Sequence, residues 1–157
     1  MRVGIGYDVH PLVAGRPLVL GGVTVAFKRG LRGHSDADVL VHAIMDALLG
    51  AATLKDIGTH FPDTDPQYKD ISSITLLKRV GNMLDNGGFK IENIDATIIC
   101  EQPRLVDYID EMCRNIGAAL GITKDQVSVK ATTSAGLGFL GAGSGIATHA
   151  VALVKRQ

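Results

Sequence analysis

No tryptophan occurs among the 157 residues of this chain, and aromatic side chains make up only 4% of it, so any core it buries must be aliphatic. An excess of one charge is also missing. Sixteen basic residues balance sixteen acidic ones, which leaves no electrostatic footprint for nucleic acid or an anionic membrane surface. No apolar run approaches the roughly 20 residues of a membrane-spanning helix. Cys100 and Cys113 stand in no paired metal-ligand spacing, and Met1 leads straight into a strand pattern with no signal or transit segment. These absences point to a reduced, cytoplasmic protein that binds neither nucleic acid nor membrane. Repeats and low-complexity tracts are lacking too, and the length is that of a single domain over 1–157.

What the chain does contain is organised around Gly33 to Ala52. Ser35 or Asp36 can cap a helix there, and Val39, Leu40, Ala43, Ile44, Ala47 and Leu48 recur at helical spacing, so one face is core. Asp38, His42 and Asp46 follow at i, i+4 and i+8 along a ridge bordering that face. Arg2 to Leu12 reads as a strand, which sends Asp8 and His10 to one side. Two ligands from a strand and one from a helix suit a catalytic zinc site with an open fourth position. From spacing alone, either histidine could equally be a hydrogen-bonded structural residue. Asp46, one turn beyond His42, is placed to accept the second N–H of its ring, as carboxylates behind metal-bound histidines do.

The rest of the chain reads in order. Pro17 to Val25, interrupted by Gly21-Gly22, is a short, peripheral hairpin leaving the sheet. Thr53 to Asp70 has little periodicity and is a long loop, of the kind that serves as a lid, with Phe61 to Asp70 expected to be mobile without ligand. Ile71 to Asn86 is a helix stopped by Gly87-Gly88, Phe89 to Glu101 a strand, and Leu105 to Leu120 a helix closed by Gly121. Val127 to Thr133 and Ile146 to Val154 are strands flanking a glycine-rich turn. The fold class is α+β: a small mixed sheet with helices packed on one face, its open aliphatic face covered by another subunit. Gly136-x-Gly138-x-x-Gly141 matches the dinucleotide fingerprint, but more glycines replace the helix that should receive the pyrophosphate, and no acidic ribose partner follows.

Four segments then carry a resemblance. They are Gly6 to His10; Gly33 to Val39; Asp56 to Gly58 with Phe61 to Pro66; and Val129 to Thr133 with Leu137 to Phe139. In this order, across nearly the whole chain, they resemble the 2-C-methyl-D-erythritol 2,4-cyclodiphosphate synthase family. The resemblance implies a homotrimer with active sites at subunit boundaries. It implies a lyase of the non-mevalonate isoprenoid route that converts 4-diphosphocytidyl-2-C-methyl-D-erythritol 2-phosphate into the cyclic diphosphate and CMP. Asp8, His10 and His42 are then the zinc ligands, and His34 and Thr133 orient and stabilise the reacting phosphates.

The resemblance also distributes the substrate contacts. Asp8, Val9, His10, His34 and Ser35 border the metal, while Asp56, Ile57 and Gly58 with Phe61, Pro62, Asp63, Thr64 and Asp65 hold the ribose and methylerythritol parts. Cys100, Glu101, Gln102, Pro103, Arg104, Leu105 and Val106 form the wall for the cytidine and diphosphate, joined by Thr132, Thr133, Ser134, Ala135, Phe139 and Ala142. Because the substrate's 2-phosphate is the nucleophile, no serine or cysteine nucleophile is needed. Two departures stand out. Ala135 replaces a glutamate that contributes to a second divalent ion, magnesium or manganese, which is then held weakly. Ala142 and His149 replace an arginine and a glutamate of the central trimer cavity. The competing readings are a zinc-dependent phosphohydrolase and a catalytically weakened ligand-binding trimer.

Overall fold

The computed structural model describes all 157 residues. Side chains alternate along β1 (Arg2–Ala14), which exposes Val3, Ile5 and Tyr7 on one side and turns Gly4 and Gly6 to the other. The glycines are there for lack of a side chain. A Cβ on Gly4 or Gly6 would lie 1.9 Å from the carbonyl oxygen of Ala47 or Ala43, so the strand lets helix α1 (Val39–Ala51) rest almost on its backbone. That contact fixes the strand-to-helix distance on which the site depends.

Before α1 come β2 (Leu18–Leu20), β3 (Val23–Val25) and β4 (Arg29–Leu31); after it come the single turn α2 (Ile57–His60), α3 (Ser73–Asn86) and β5 (Phe89–Ile99). The chain ends with α4 (Ile109–Leu120), β6 (Val127–Thr132), the turn α5 (Gly138–Gly141) and β7 (Gly145–Arg156). Five strands form one mixed sheet in the order β4-β1-β7-β5-β6, in which only β5 and β6 run parallel. α1 lies across β1 and β7, α4 lies against β6, and α3 joins the two helices. No helix is long and apolar enough to cross a membrane.

The expected α+β class holds, and the departures from expectation have physical causes. α1 is buried on nearly every side, because the hairpin, α3 and the sheet surround it; only Asp46 and Gly50 escape. The β2–β3 hairpin is a separate two-stranded sheet, yet Leu18, Leu20, Val23 and Val25 are buried in the main core, so it is not peripheral. Asp38 ties it there. Its carboxylate caps α1 through Val41 N and accepts the turn amides of Gly21 and Gly22 at 3.0 and 2.8 Å. Thr53 to Asp70 is not featureless: α2 and a 3₁₀ turn at Pro66–Tyr68 are capped by Asp56 and Asp65. α4 starts at Ile109 rather than Leu105.

The face away from the helices divides in two. Val3, Ile5, Tyr7, Val9 and Val151 make it apolar along β1 and β7, while Asp95 and Lys130 pair across β5 and β6.

Candidate functional site

Asp8 and His10 leave β1 on the side that Gly4 and Gly6 open to α1, and His42 leaves α1 to meet them. Asp8 Oδ2 lies 2.8 Å from His10 Nε2 and 3.1 Å from His42 Nδ1, and the two ring nitrogens are 3.4 Å apart. Ligand atoms sharing one tetrahedral zinc ion would sit roughly 3.3 Å from each other. The outer nitrogens decide the chemistry. His10 Nδ1 is 3.0 Å from the carbonyl of Arg32, which can only accept, so Nδ1 carries the proton and Nε2 keeps its lone pair.

His42 is fixed in the same way. Ser73 donates its hydroxyl to Asp36, so its oxygen accepts from His42 Nε2 at 2.9 Å, with Ser35 Oγ alongside at 3.2 Å. His42 Nδ1 therefore turns its own lone pair inward. Two imidazole lone pairs and a carboxylate oxygen aimed at one point call for a cation or a proton between them, and this donor set fits a divalent metal. Asp46 takes no part: its Oδ1 accepts from Ile57 N at 2.9 Å, which corrects the role expected for it behind His42. Asp38, bound to the hairpin, is also absent from the triad.

Electrostatics follows from this geometry. With no cation in place a proton among the three groups takes its role: burial pushes the Asp8 carboxyl up, but hydrogen bonding and attraction to the His10 and His42 rings outweigh it and leave Asp8 at about 2. Burial lowers His10, and its bond to and attraction by Asp8 overcome that, for a net rise. Asp8 stays 22% and His10 19% exposed, so the triad is open on one side.

That open side is the floor of a cavity of about 530 Å³. Gly33, His34 and Ser35 line it, with Ile57 and Gly58 and the stretch Phe61, Pro62, Asp63 and Thr64; Met45, Tyr68 and Leu76, which the motifs did not single out, complete it. His34 Nε2 bonds the Asp65 carbonyl at 3.0 Å, and Phe61 meets Tyr68 edge-on at 5.5 Å, so the capped stretch closes over the metal side. Asp56 and Asp65 do not line the cavity. Their carboxylates are spent locally, on Thr59 N and Gln67 N.

The other predicted contacts lie elsewhere. Cys100, Glu101, Gln102, Pro103, Arg104, Leu105 and Val106 line a separate cavity of about 840 Å³ with Ala131, Thr132 and Thr133. Phe27 and Ile109, missed in the sequence, belong to it as well. Burial raises the Cys100 thiol to about 11, so it is a wall and not a nucleophile. Within one chain, then, His34 and Thr133 occupy different cavities. Val9 points to the outer face of β1, where it shares a small hollow with Phe139. Ala142 borders a third cavity of about 340 Å³ with Arg29 and Glu101, and Ser134 and Ala135 form the turn after β6.

An open histidine–carboxylate triad that fits a divalent cation, at the floor of a cavity carried by a mixed sheet, is the framework of an enzyme acting on a small molecule. Family comparison makes it particular: a model described as the YgbB family matches residues 1–155, and the chain belongs to that family. It is 60% identical over 156 residues to the 2-C-methyl-D-erythritol 2,4-cyclodiphosphate synthase of Pelotomaculum thermopropionicum, covering 99% of this chain and 96% of that one. Identity with the synthase of Alkaliphilus oremlandii is 58%, over 98% of each chain. Among solved structures, the complex of Plasmodium falciparum IspF with CDP superimposes with a TM-score of 0.87 at 31% identity, over 99% of this chain and 96% of that one.

Proposed function

We propose that this chain is a phosphorus–oxygen lyase that converts 4-diphosphocytidyl-2-C-methyl-D-erythritol 2-phosphate into 2-C-methyl-D-erythritol 2,4-cyclodiphosphate and CMP, in the cytoplasm, as a step toward isoprenoids. The observation that carries this reading is the convergence of two imidazole lone pairs and the Asp8 carboxylate at the floor of an open cavity, in a chain of the YgbB family.

The residues divide the work. Asp8, His10 and His42 hold zinc, and Arg32, Ser35 and Ser73 fix the histidine rings. When bound, zinc would supply Lewis-acid polarisation of a phosphoryl group, and a second divalent ion, magnesium or manganese, would find no carboxylate at Ala135 and would be held weakly. His34 faces the reacting phosphates, and the Phe61–Thr64 stretch receives the methylerythritol part and keeps water from competing with the internal phosphate. Thr133 Oγ1 accepts from Ala135 N at 3.2 Å, which leaves its hydroxyl proton free to donate to a phosphate oxygen. The substrate's 2-phosphate oxygen attacks the diphosphate phosphorus as the bond to CMP breaks, so the Cys100–Val106 wall has only to hold the cytidine end.

The separation of the two cavities supports a homotrimer in which the metal cavity of one chain faces the cytidine wall of the next. The exposed apolar half-face of β1 and β7 supports it too. Phosphorus NMR of metal-loaded protein with the substrate tests the reaction. Cyclic diphosphate plus CMP is expected; linear hydrolysis products would indicate a zinc phosphohydrolase, and binding without turnover a weakened trimer.

A further inference from the structure

The turn that carries Thr133 is poorly secured by its own sequence. Ala135 adopts φ +53° and Gly136 φ +75°, so a residue with a Cβ sits in the left-handed region beside a glycine that supplies no stiffness. Inside the turn only two bonds hold it, Ala135 N to Thr133 Oγ1 at 3.2 Å and Leu137 N to the Ser134 carbonyl at 3.0 Å. Ser134 N points away from both. It donates instead to Glu101 Oε1 at 2.7 Å, a short charge-assisted bond across 33 residues of sequence.

Glu101 is well placed to act through that bond. It follows the end of β5, where Cys100 N bonds the Thr132 carbonyl at 2.8 Å, so the anchor is continuous with the parallel β5–β6 pair. Its side chain is half-buried and borders both the cavity containing Thr133 and the neighbouring one containing Arg29. We infer that Glu101 is the positioning residue for Thr133: its carboxylate clamps the Ser134 amide and so holds the Thr133 hydroxyl in the direction needed for phosphate. This goes beyond holding the cytidine end, and it rests on the role proposed above for Thr133. The chemistry required is acceptance of one N–H; a full charge strengthens the bond but is not needed to form it.

The test compares Glu101→Ala with Glu101→Gln, which keeps an acceptor oxygen and loses the charge. Glu101→Ala should lower kcat roughly 10-fold or more, a larger fold-change than it makes in the dissociation constant for CMP, because the orientation of Thr133 is lost while the other wall residues remain. Glu101→Gln should recover most of the lost kcat. Backbone exchange supplies a readout independent of turnover: the Ser134 amide should exchange faster in Glu101→Ala than in the parent, and near the parent rate in Glu101→Gln. A Glu101→Ala protein with parent kcat and parent exchange overturns the inference. Equal losses in the two variants, accompanied by a higher magnesium requirement, also overturn it, since the charge and not the hydrogen bond would then be at work. A parent protein that makes no cyclic diphosphate refutes the reaction instead, and the exchange comparison still decides whether the clamp exists.

Discussion

Single atoms govern the metal site, and the decisive ones lie behind the ligands. His42→Ala should abolish tight metal binding yet leave the protein folded, because the apolar contacts of α1 survive; retained stoichiometric zinc would refute the ligand assignment. Ser73 is fully buried, and its oxygen fixes the His42 tautomer. Ser73→Ala should therefore weaken zinc affinity about 10- to 100-fold in a chelator competition. Asp46→Asn should leave that affinity near the parent value, since Asp46 serves Ile57 N. The metal-free site has its own pH signature. Asp8, depressed to about 2 from 3.8, contributes stability present above 3.8 and lost as pH falls toward 2. His10, raised from 6.5, contributes stability present below 6.5 and lost as pH rises through its elevated value. A metal must displace that His10 proton, so zinc affinity should climb as pH rises through the elevated His10 value, which calorimetry across pH would measure. A flat profile would mean that no proton occupies the site.

At the scale of elements, the site exists because β1 and α1 touch backbone to backbone. Gly6→Ala would place a Cβ 1.9 Å from the Ala43 carbonyl oxygen and 2.8 Å from Ala47 N, contacts that only separation of helix and strand can relieve. It should cost roughly 1–3 kcal/mol or more in denaturant unfolding and weaken metal binding as His42 moves away from Asp8 and His10. Unchanged stability and affinity would show that α1 can shift without opening the site. The strand of Asp8 and His10 and the helix of His42 were legible as a period-2 and a period-3.6 pattern, and their meeting was legible from the glycines of β1 only in hindsight. The ridge of Asp38, His42 and Asp46 misled, because spacing places side chains on a face but does not reveal the backbone amides of Gly21, Gly22 and Ile57 that claim two of them. The Thr53–Asp70 stretch hid two aspartate-capped turns, too short to leave a periodic signal. Phe61–Asp70 remains the segment whose amides should gain protection when methylerythritol phosphate is added in a hydrogen-exchange experiment, and equal protection with and without it would argue against a lid.

For the whole molecule, the question is why one chain holds its predicted contacts in two places. His34 and the metal triad line one cavity, Thr133 and the Cys100–Val106 wall line another, and the apolar half-face of β1 and β7 remains uncovered. Nothing within the chain brings the cavities together; head-to-tail contacts around a threefold axis would pair the metal cavity of each chain with the wall of its neighbour. Two inactive variants should then cure one another. His42→Ala spoils only the metal half and Thr133→Ala only the wall half, so a mixed trimer contains some sites built from two intact halves. Random assembly from equal amounts of the two chains should restore about a quarter of the parent sites, one in each mixed ring of three. The measurement is cyclic diphosphate formation after the variants are unfolded together and refolded, compared with each refolded alone. Activity rising toward that fraction is expected, along with zinc bound at about half the parent stoichiometry because only the Thr133→Ala chains carry the triad. Mixed trimers that bind this much zinc yet stay as inactive as the separate variants would place both halves of each site within a single chain.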